Sequence, residues 1–369
     1  MKEIKIDRSK SLIEEPSKGH NRFHPDIEPV IEVDEGEEVV IETRSAADNQ
    51  LSRTSTLESL KTTDPRRAHP LTGPVYVKGA TPGDLLEIEF LDIVPADWAF
   101  TGIRAGRGYL RDHFHDPFLA IWELRDGWAT SKQVPGVRVH GAPFAGVSAV
   151  APSRAQLVEW TRREAVLVTE GGLAMPPDVG SAVPSAEPMA SEGLRTIPPR
   201  ENGGNMDVKQ MTKGSRLLLP VNVEGALYST GDAHFAQGDG EVCLQAVEMD
   251  ATVAVRFRVL KGEAERHNIR WPRLAHSTYF TDPRFAVPER FIATMGMPVR
   301  ADGSNASEDL NLACQNALLQ MIDLLGERGF SREQAYVICS VAVDLKISQV
   351  VDVPNCIVSA VLSEDIFGD

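Results

Sequence analysis

The chain has 369 residues, of which 42% are hydrophobic and 25% are charged, and its formal net charge is -15 at pH 7. This length allows two domains or one large one, and the hydrophobic content is enough for a buried core. The acidic balance, without a long cluster of lysine and arginine, argues against a nucleic-acid partner. No run approaches the roughly 20 apolar residues that span a bilayer, so we expect no membrane partner.

The amino-terminal stretch and the cysteines bear on location. The stretch MKEIKIDRSK alternates charged and apolar residues and has no continuous apolar core of the signal-peptide kind. Cys243, Cys314, Cys339 and Cys356 are scattered without a CxxC pair. This pattern favours neither a disulfide framework nor a thiolate zinc site, so we expect a cytoplasmic protein with reduced thiols.

The first part of the chain is predicted to form short antiparallel strands. The run EPVIEVDEGEEVVIETRSA contains two alternating apolar stretches that are split by a turn at 34–36. The run TGPVYVKGATPGDLLEIEFLDI repeats the pattern, with its turn at 82–84. We therefore predict an N-terminal antiparallel β domain over residues 1–150.

The middle of the chain is less regular. The segment 104–140 contains a patch rich in aromatic residues and histidine, and it is a candidate for shaping a pocket. From 171 to 200 the chain is dense in Pro, Gly, Ser and Ala and has no apolar period. We predict residues 151–200 to be a Pro/Gly-rich excursion or a lid.

Residues 201–369 are predicted to form a β-rich domain that ends in a helical hairpin. Asn305 and Glu308 form a potential capping box before LNLACQNALLQMIDLLGERG, and Ser331 and Gln334 repeat the signal for a second helix. NCIVSAVLSEDIF is typical of a closing strand. The predicted fold class is mainly β, with antiparallel sheets of the β-sandwich or jelly-roll kind, a C-terminal α-helical hairpin and a closing strand.

The stretch YSTGDAHFAQGDGEVCLQAVEM, residues 228–249, is the most informative for chemistry. Alternate side chains of a strand share a face, so Asp232 and His234 are predicted to point the same way. The Asp-Gly pair at Asp239 favours a tight hairpin that brings Glu241 and Cys243 back beside the first strand. Carboxylate and imidazole ligands on one face suit zinc and similar divalent ions. An Asp before Gly is, taken alone, more often a turn former.

Other candidate ligands lie in loops beside Gly and Pro. They are Asn205 and Asp207 in GGNMDVKQM, His20, His24 and Asp26 in GHNRFHPDIEP, and His69 in AHPLTGP. Loop Asn and Asp side chains commonly bond their own backbone, so each of these is a weak signal by itself.

Several separated motifs together resemble the acetamidase/formamidase family. They are GHNRFHPDIEPVIEVDEGE, HPLTGPVYVKGATPGDLLEIEFLDI, ENGGNMDVKQMTKGSRLLLPV, GALYSTGDAHFAQGDGEVC and AVDLKISQVVDVPNCIVSAVL, and they span nearly the whole chain. The resemblance implies hydrolysis of a small carboxamide such as formamide or acetamide to the acid and ammonia. It also implies a β-rich fold, a homo-oligomer and a bound divalent metal.

The motif positions carried onto this chain are Asp207, Asp232, His234, Asp239 and Glu241, with His20, His69 and Asn205 as neighbours. We expect Asp207, Asp232 and His234 to hold the metal, with zinc preferred and calcium as the alternative. Glu241 is expected to be the general base, with Asp239 and His20 as further catalytic residues. His69 and Asn205 are expected to bind the substrate.

Two alternatives stay open at this point. The first is a metal-free amidase with a cysteine nucleophile, for which Cys243, two residues from Glu241, is the candidate. The second is a non-enzymatic β binding module whose acidic hairpin holds calcium for stability.

Overall fold

The structure is a computed structural model that describes residues 1–280, 282 and 288–367. It is mainly β, as predicted. The strands within the described residues are, in chain order, β1 (Lys2–Ile4), β2 (Gly19–His20), β3 (Arg22–Phe23), β4 (Ile31–Val33), β5 (Glu38–Thr43), β6 (Leu71–Val77), β7 (Leu85–Pro95), β8 (Trp98–Ile103), β9 (Phe118–Arg125), β10 (Trp128–Ser131), β11 (Val134–His140), β12 (Phe144–Ala149), β13 (Leu194–Arg195), β14 (Gly203–Asn205), β15 (Arg216–Pro220), β16 (Tyr228–His234), β17 (Glu248–Met249), β18 (Ala251–Leu260), β19 (Arg273–Ala275), β20 (Phe291–Gly296), β21 (Val343–Gln349) and β22 (Ile357–Ser363).

Within the described residues, the helices are fewer than the strands. They are α1 (Leu57–Thr62), α2 (Arg154–Thr169), α3 (Met189–Glu192), α4 (Glu263–Arg266), α5 (Leu310–Glu327) and α6 (Arg332–Ala342). Short 3-10 turns occur at Leu12–Glu14, Pro16–Lys18, Pro65–Arg67 and Glu364–Ile366. Over the described residues, no helix combines the length and apolarity needed to cross a bilayer.

Two large sheets form most of the molecule. The first has the strand order β1-β5-β18-β7-β15-β19. The second follows the order β11-β10-β9-β8-β17-β16-β12-β14, with β6 beside β16 and with β2 and β4 beside β6. Most neighbours are antiparallel, while β1 with β5 and β4 with β6 are parallel. The prediction of antiparallel sheets is therefore confirmed, and their arrangement as a sandwich or jelly roll stays a prediction.

Both large sheets combine strands from before residue 150 with strands from after residue 200. Strand β18 lies between β5 and β7, and β16 pairs with both β6 and β12. One hydrophobic cluster contains Ile41, Trp122, Val253 and Leu318. Each large sheet thus contains strands from both sides of residue 150, because apolar alternation marks a strand without showing which distant strand it pairs with. The domain boundaries stay a prediction.

The segment 151–200 is not a structureless excursion throughout. Helix α2 begins after Ser153, which forms a capping box with Gln156. The sequence interpretation missed this helix because Val158, Val166 and Leu167 lie exposed and blur the apolar period.

The C-terminal unit agrees with the predicted helical hairpin and closing strand. Helix α6 has the expected Ser331 and Gln334 capping box. The predicted capping box at Asn305 and Glu308 is wrong, since α5 begins after Asp309, whose side chain accepts a hydrogen bond from the backbone of Leu312. The third sheet, β20-β22-β21, packs against α5.

Gly296 of β20 lies directly against the backbone of α5. A Cβ atom at Gly296 would lie 2.0 Å from the carbonyl oxygen of Ala313 and 2.3 Å from the nitrogen of Ala317. Backbone atoms cannot move aside as a flexible side chain can, so this position requires glycine.

Asp48 carries a buried carboxyl group. Its Oδ1 accepts a hydrogen bond from Leu12 N at 2.7 Å, and its Oδ2 is buried without a hydrogen-bond partner among the described residues. Burial raises the pKa of Asp48 to about 6, and the hydrogen bond from Leu12 only partly offsets this.

We expect Gly296→Ala to lower the free energy of unfolding by about 1 to 3 kcal/mol, because β20 and α5 must separate to admit the methyl group. The matched control is Gly326→Ala, which adds a methyl group to an exposed position of α5, where no described atom outside its own helix backbone and chain neighbours lies within 4 Å. The control should raise stability by about 0.5 to 1 kcal/mol. Equal urea midpoints for the two variants would contradict the packing described.

We expect Asp48→Asn to be more stable than the wild type at about pH 8 and equal to it at about pH 4. The amide oxygen can still accept from Leu12, but the variant has no charge to bury. Because the folded pKa of about 6 exceeds the ordinary carboxyl value, the wild type loses stability as pH rises through this window. Urea unfolding at both pH values measures this, and a difference independent of pH would refute it.

Candidate active site

Strand β16 holds the centre of the site. Asp232 and His234 are 2% and 0% exposed. His234 Nε2 lies 3.5 Å from Asp232 Oδ2, so the structure brings the two side chains together. His69 precedes β6, and its Nδ1 lies 3.7 Å from the same oxygen.

The return strand of the hairpin differs from the prediction. It is β17, in which Glu248 pairs with His234, and not the segment at 241–243. Glu248 Oε2 lies 3.3 Å from His234 Nε2. The sequence interpretation missed Glu248, although one acidic residue inside the apolar run AVEM was an available signal, since a buried acid needs a partner.

Asp207 reaches the site because Gly146 has no side chain. The Asp207 nitrogen donates to the Gly146 carbonyl at 3.3 Å. A Cβ atom at Gly146 would lie 2.6 Å from Asp207 Oδ1 and 3.0 Å from His234 Cε1. Gly146 was not predicted, because FAGVSAV has the appearance of an ordinary strand.

Three acidic residues of the site have left-handed backbone conformations. The φ angles are 48° for Asp207, 52° for Asp232 and 45° for Glu241. For residues other than glycine such conformations cost of order 1 kcal/mol or more each, and they are common at functional sites. The fold therefore holds these three carboxyl groups in place against a local preference.

The site contains buried polar atoms that no described group of the protein satisfies. Within the described residues, the atoms without a hydrogen-bond partner include Asp207 Oδ1, Asp232 Oδ1, His234 Nε2 and Glu248 Oε2. Asp207, Asp232 and His234 each offer an atom within 4.8 Å of the others, and so do His234, Glu241 and Glu248. An unsatisfied buried polar atom costs about 1 to 3 kcal/mol, so such convergence is typical of a binding site.

The electrostatic environment of the cluster favours bound protons or a bound cation. Burial raises the pKa of Asp207 to about 7. Burial and then the charge of Asp207 raise the pKa of Glu241 well above its usual range. Burial disfavours a charged His234, but Glu248 and Asp232 outweigh it and raise its pKa. For Asp232, burial is outweighed by His69 and His234, which lower its pKa. A bound cation would relieve the same excess of negative charge.

Gln237 orients two members of the cluster. Its Oε1 lies 2.9 Å from His234 Nδ1, and its Nε2 donates to the Asp207 carbonyl at 2.8 Å. Because the amide oxygen can only accept, Nδ1 of His234 is the donor, and in the neutral imidazole Nε2 keeps a free lone pair. Gln237 was not among the predicted residues.

The predicted site residues divide into two groups. A cavity of about 830 Å³ is lined by the predicted residues His69, Asn205, Asp232 and Glu241, and also by Glu248. His20, Asp207, His234 and Asp239 do not line it, although Asp207 and His234 converge with Asp232 beside it. His20 Nε2 lies 2.7 Å from Ser229 Oγ, and Asp239 lies 3.8 Å from the Lys209 ammonium group. His24 lies 3.5 Å from Glu192 and Asp26 pairs with Arg154, both outside the cavity lining.

Residues 5–369 match the Acetamidase/Formamidase family. An acetamidase of Mycolicibacterium smegmatis is 36% identical over 366 residues, which cover 90% of this chain and 87% of that protein. A formamidase of Methylophilus methylotrophus is 33% identical over 383 residues, which cover 99% of this chain and 93% of that protein.

Solved structures are similar to this chain as well. A gamma lactamase from Delftia acidovorans superposes with a TM-score of 0.93 at 34% identity, covering 100% of this chain and 94% of that one. An acetamidase from Bacillus halodurans superposes with a TM-score of 0.57 at 26% identity, covering 94% and 95%. The matches extend over almost all of the chain, which therefore belongs to the acetamidase/formamidase family.

Proposed function

We propose that this chain hydrolyses a small linear carboxamide, of the formamide or acetamide kind, to the carboxylic acid and ammonia. The reaction adds one water across the C–N bond. The observation that carries the proposal is the membership in a family of amide hydrolases together with a cavity that ends at a buried cluster of carboxyl groups and imidazoles.

The proposal includes a divalent metal held by Asp207, Asp232 and His234. Their donor atoms converge, lack hydrogen-bond partners within the described residues, and include an imidazole Nε2 that Gln237 leaves free. This donor set suits zinc, with calcium as the alternative. When bound, such a metal supplies polarisation of a carbonyl group and a lower pKa for water.

Glu241 is proposed as the general base. Its carboxylate takes a proton from the attacking water and later donates it to the departing nitrogen. Burial and the neighbouring Asp207 raise the pKa of Glu241. A raised pKa helps Glu241 to keep the proton from the water until it donates that proton to the departing nitrogen.

Asn205 and His69 are proposed to position the amide. The buried Asn205 Oδ1 has no hydrogen-bond partner among the described residues, so it can accept an N–H of the substrate. The Thr196 hydroxyl fixes both backbone polar groups of His69. The His69 nitrogen donates to Thr196 Oγ1 at 2.8 Å, and the His69 carbonyl accepts from the same hydroxyl at 3.0 Å. His20 and Asp239 have no direct part in this proposal.

The two alternatives have less support. Cys243 is 1% exposed and does not line the cavity, and burial raises the pKa of its thiol to about 12. A nucleophilic cysteine needs a thiolate near neutral pH. A non-enzymatic binding module does not account for the family relation. The cytoplasmic location and the homo-oligomer remain predictions.

A lactam is the second candidate substrate. The observation that favours it is the close superposition on a protein named gamma lactamase. A lactam contains the same amide bond, so the same residues would serve, and the product would be an amino acid in place of ammonia and an acid.

The test is ammonia release from formamide, acetamide and larger linear amides, with lactam opening followed by chromatography. Protein as purified, chelated protein, and chelated protein resupplied with zinc or calcium are compared. We expect turnover that is lost on chelation and restored by zinc. Turnover that survives complete metal removal would refute the metal, and no turnover on any amide would refute the function.

We expect Asp232→Asn to lose at least about a hundredfold in kcat/KM and most of its bound metal, because a neutral amide is a weak ligand of similar shape. Asp116→Asn, which changes an exposed carboxylate, is the control. Metal content by atomic absorption and ammonia release are measured on the same samples. Full activity in a metal-free Asp232→Asn protein would contradict the assignment.

We expect Gly146→Ala to lower kcat/KM by about a hundredfold, because displacement of a catalytic constellation by about 1 Å has effects of this size. The added Cβ would collide with Asp207 Oδ1. Gly326→Ala is the matched control for the same substitution at an open position. Wild-type kcat/KM in a folded Gly146→Ala protein would show that catalysis does not depend on the observed position of the Asp207 carboxyl group.

A further inference from the structure

The cavity is larger than formamide or acetamide requires. Its volume of about 830 Å³ lies within the roughly 300 to 1,000 Å³ typical of sites for drug-sized ligands. The wall beyond the acidic cluster is partly apolar and includes Met175, Pro177 and Ile197. An acyl chain longer than a methyl group can therefore be accommodated next to the cluster.

Arg104 also lines this cavity. It follows β8, and its Nη1 donates to the Leu60 carbonyl at 3.1 Å and to Thr63 Oγ1 at 2.7 Å. It forms no ion pair with any carboxylate in the described part of the chain. Burial and then the charge of the nearby Arg107 lower its pKa. A half-buried guanidinium beside another cation is costly unless an anion binds to it.

Arg195 lines the same cavity and is 7% exposed. Its Nη2 donates to the Pro65 carbonyl at 2.9 Å, while its buried Nε has no hydrogen-bond partner among the described residues. No carboxylate in those residues forms an ion pair with it, although Asp178 and Asp64 attract it electrostatically. Guanidinium groups with unused N–H donors are the usual ligands of carboxylates.

We propose that Arg104 and Arg195 bind an anionic group at the far end of the acyl chain, so that the preferred substrate is a monoamide of a dicarboxylic acid. This inference rests on the proposed function, since the amide end must reach Asp232 and Glu248. Hydrolysis adds water across the C–N bond and yields the dicarboxylate and ammonia.

The distribution of charge orients such a substrate. The neutral amide group lies at the end of the cavity that contains Asp232, Glu241 and Glu248. The guanidinium groups attract the carboxylate. A substrate with one neutral and one anionic end therefore enters in a single direction, which positions the scissile bond.

The test compares matched pairs of amides. Succinamate and glutaramate are each paired with the amide in which an isopropyl group replaces the carboxylate, which preserves shape and removes the charge. We expect kcat/KM for one anionic amide to exceed that of its neutral isostere by at least about tenfold, as a charge-assisted hydrogen bond predicts. Two chain lengths are used because the cavity volume does not define the length of the acyl chain.

Variants test the residues. Arg104→Gln should reduce the ratio of anionic to neutral kcat/KM to about one, and Arg104→Lys should retain part of it, since lysine keeps the charge and loses the paired donors. Arg111→Gln, which changes an exposed arginine of the same segment that does not line the cavity, should keep the wild-type ratio. Arg195→Gln serves as the second variant should Arg104→Gln fail to fold.

The outcomes separate the two proposals. Hydrolysis of acetamide with no preference for either anionic amide would overturn this inference and leave the proposed function standing. If no amide is hydrolysed, calorimetric titration of succinamate and glutaramate into wild-type and Arg104→Gln protein decides the inference. Binding that the variant loses supports it, and absence of binding to the wild type overturns it.

Discussion

The candidate site depends on the burial of His234 between carboxyl groups. Its Nε2 lies 3.5 Å from Asp232 and 3.3 Å from Glu248, and the imidazole is fully buried. In a medium of low polarity each of these charges is costly alone, so their positions must be held by the surrounding sheet. Gly146 permits the approach of Asp207, and Gln237 orients His234. The cluster is thus a set of mutually dependent contacts.

The topology of the sheet assembles residues that are far apart in the chain. Asp207 follows β14, Glu248 begins β17, and His69 precedes β6, and all three strands join the sheet that contains β16. Because β16 is hydrogen-bonded to strands on both sides, its side chains have little freedom to move. Rigid placement of this kind is what a reaction on an unactivated amide requires, since catalysis depends on aligned groups.

The cavity is lined by acidic residues of this cluster and, elsewhere, by apolar and arginine side chains. The segment 174–179, within the stretch predicted to be an excursion or lid, lines the cavity together with Arg104 from the segment 104–140. These two parts of the chain were the hardest to interpret from pattern. They contribute walls near the reacting groups, where loops commonly set specificity on a rigid scaffold.

The sequence by itself determined the local features and the family. The alternation that places Asp232 with His234 and the capping box of α6 depend on residues two or three positions apart, and both are seen in the structure. Only the tertiary structure decided that Glu248 joins the cluster, that Gly146 must lack a side chain, and that His20 and Asp239 lie outside the cavity. The reason is physical: strand period and helix caps are short-range, whereas strand partners and close backbone approaches depend on distant segments.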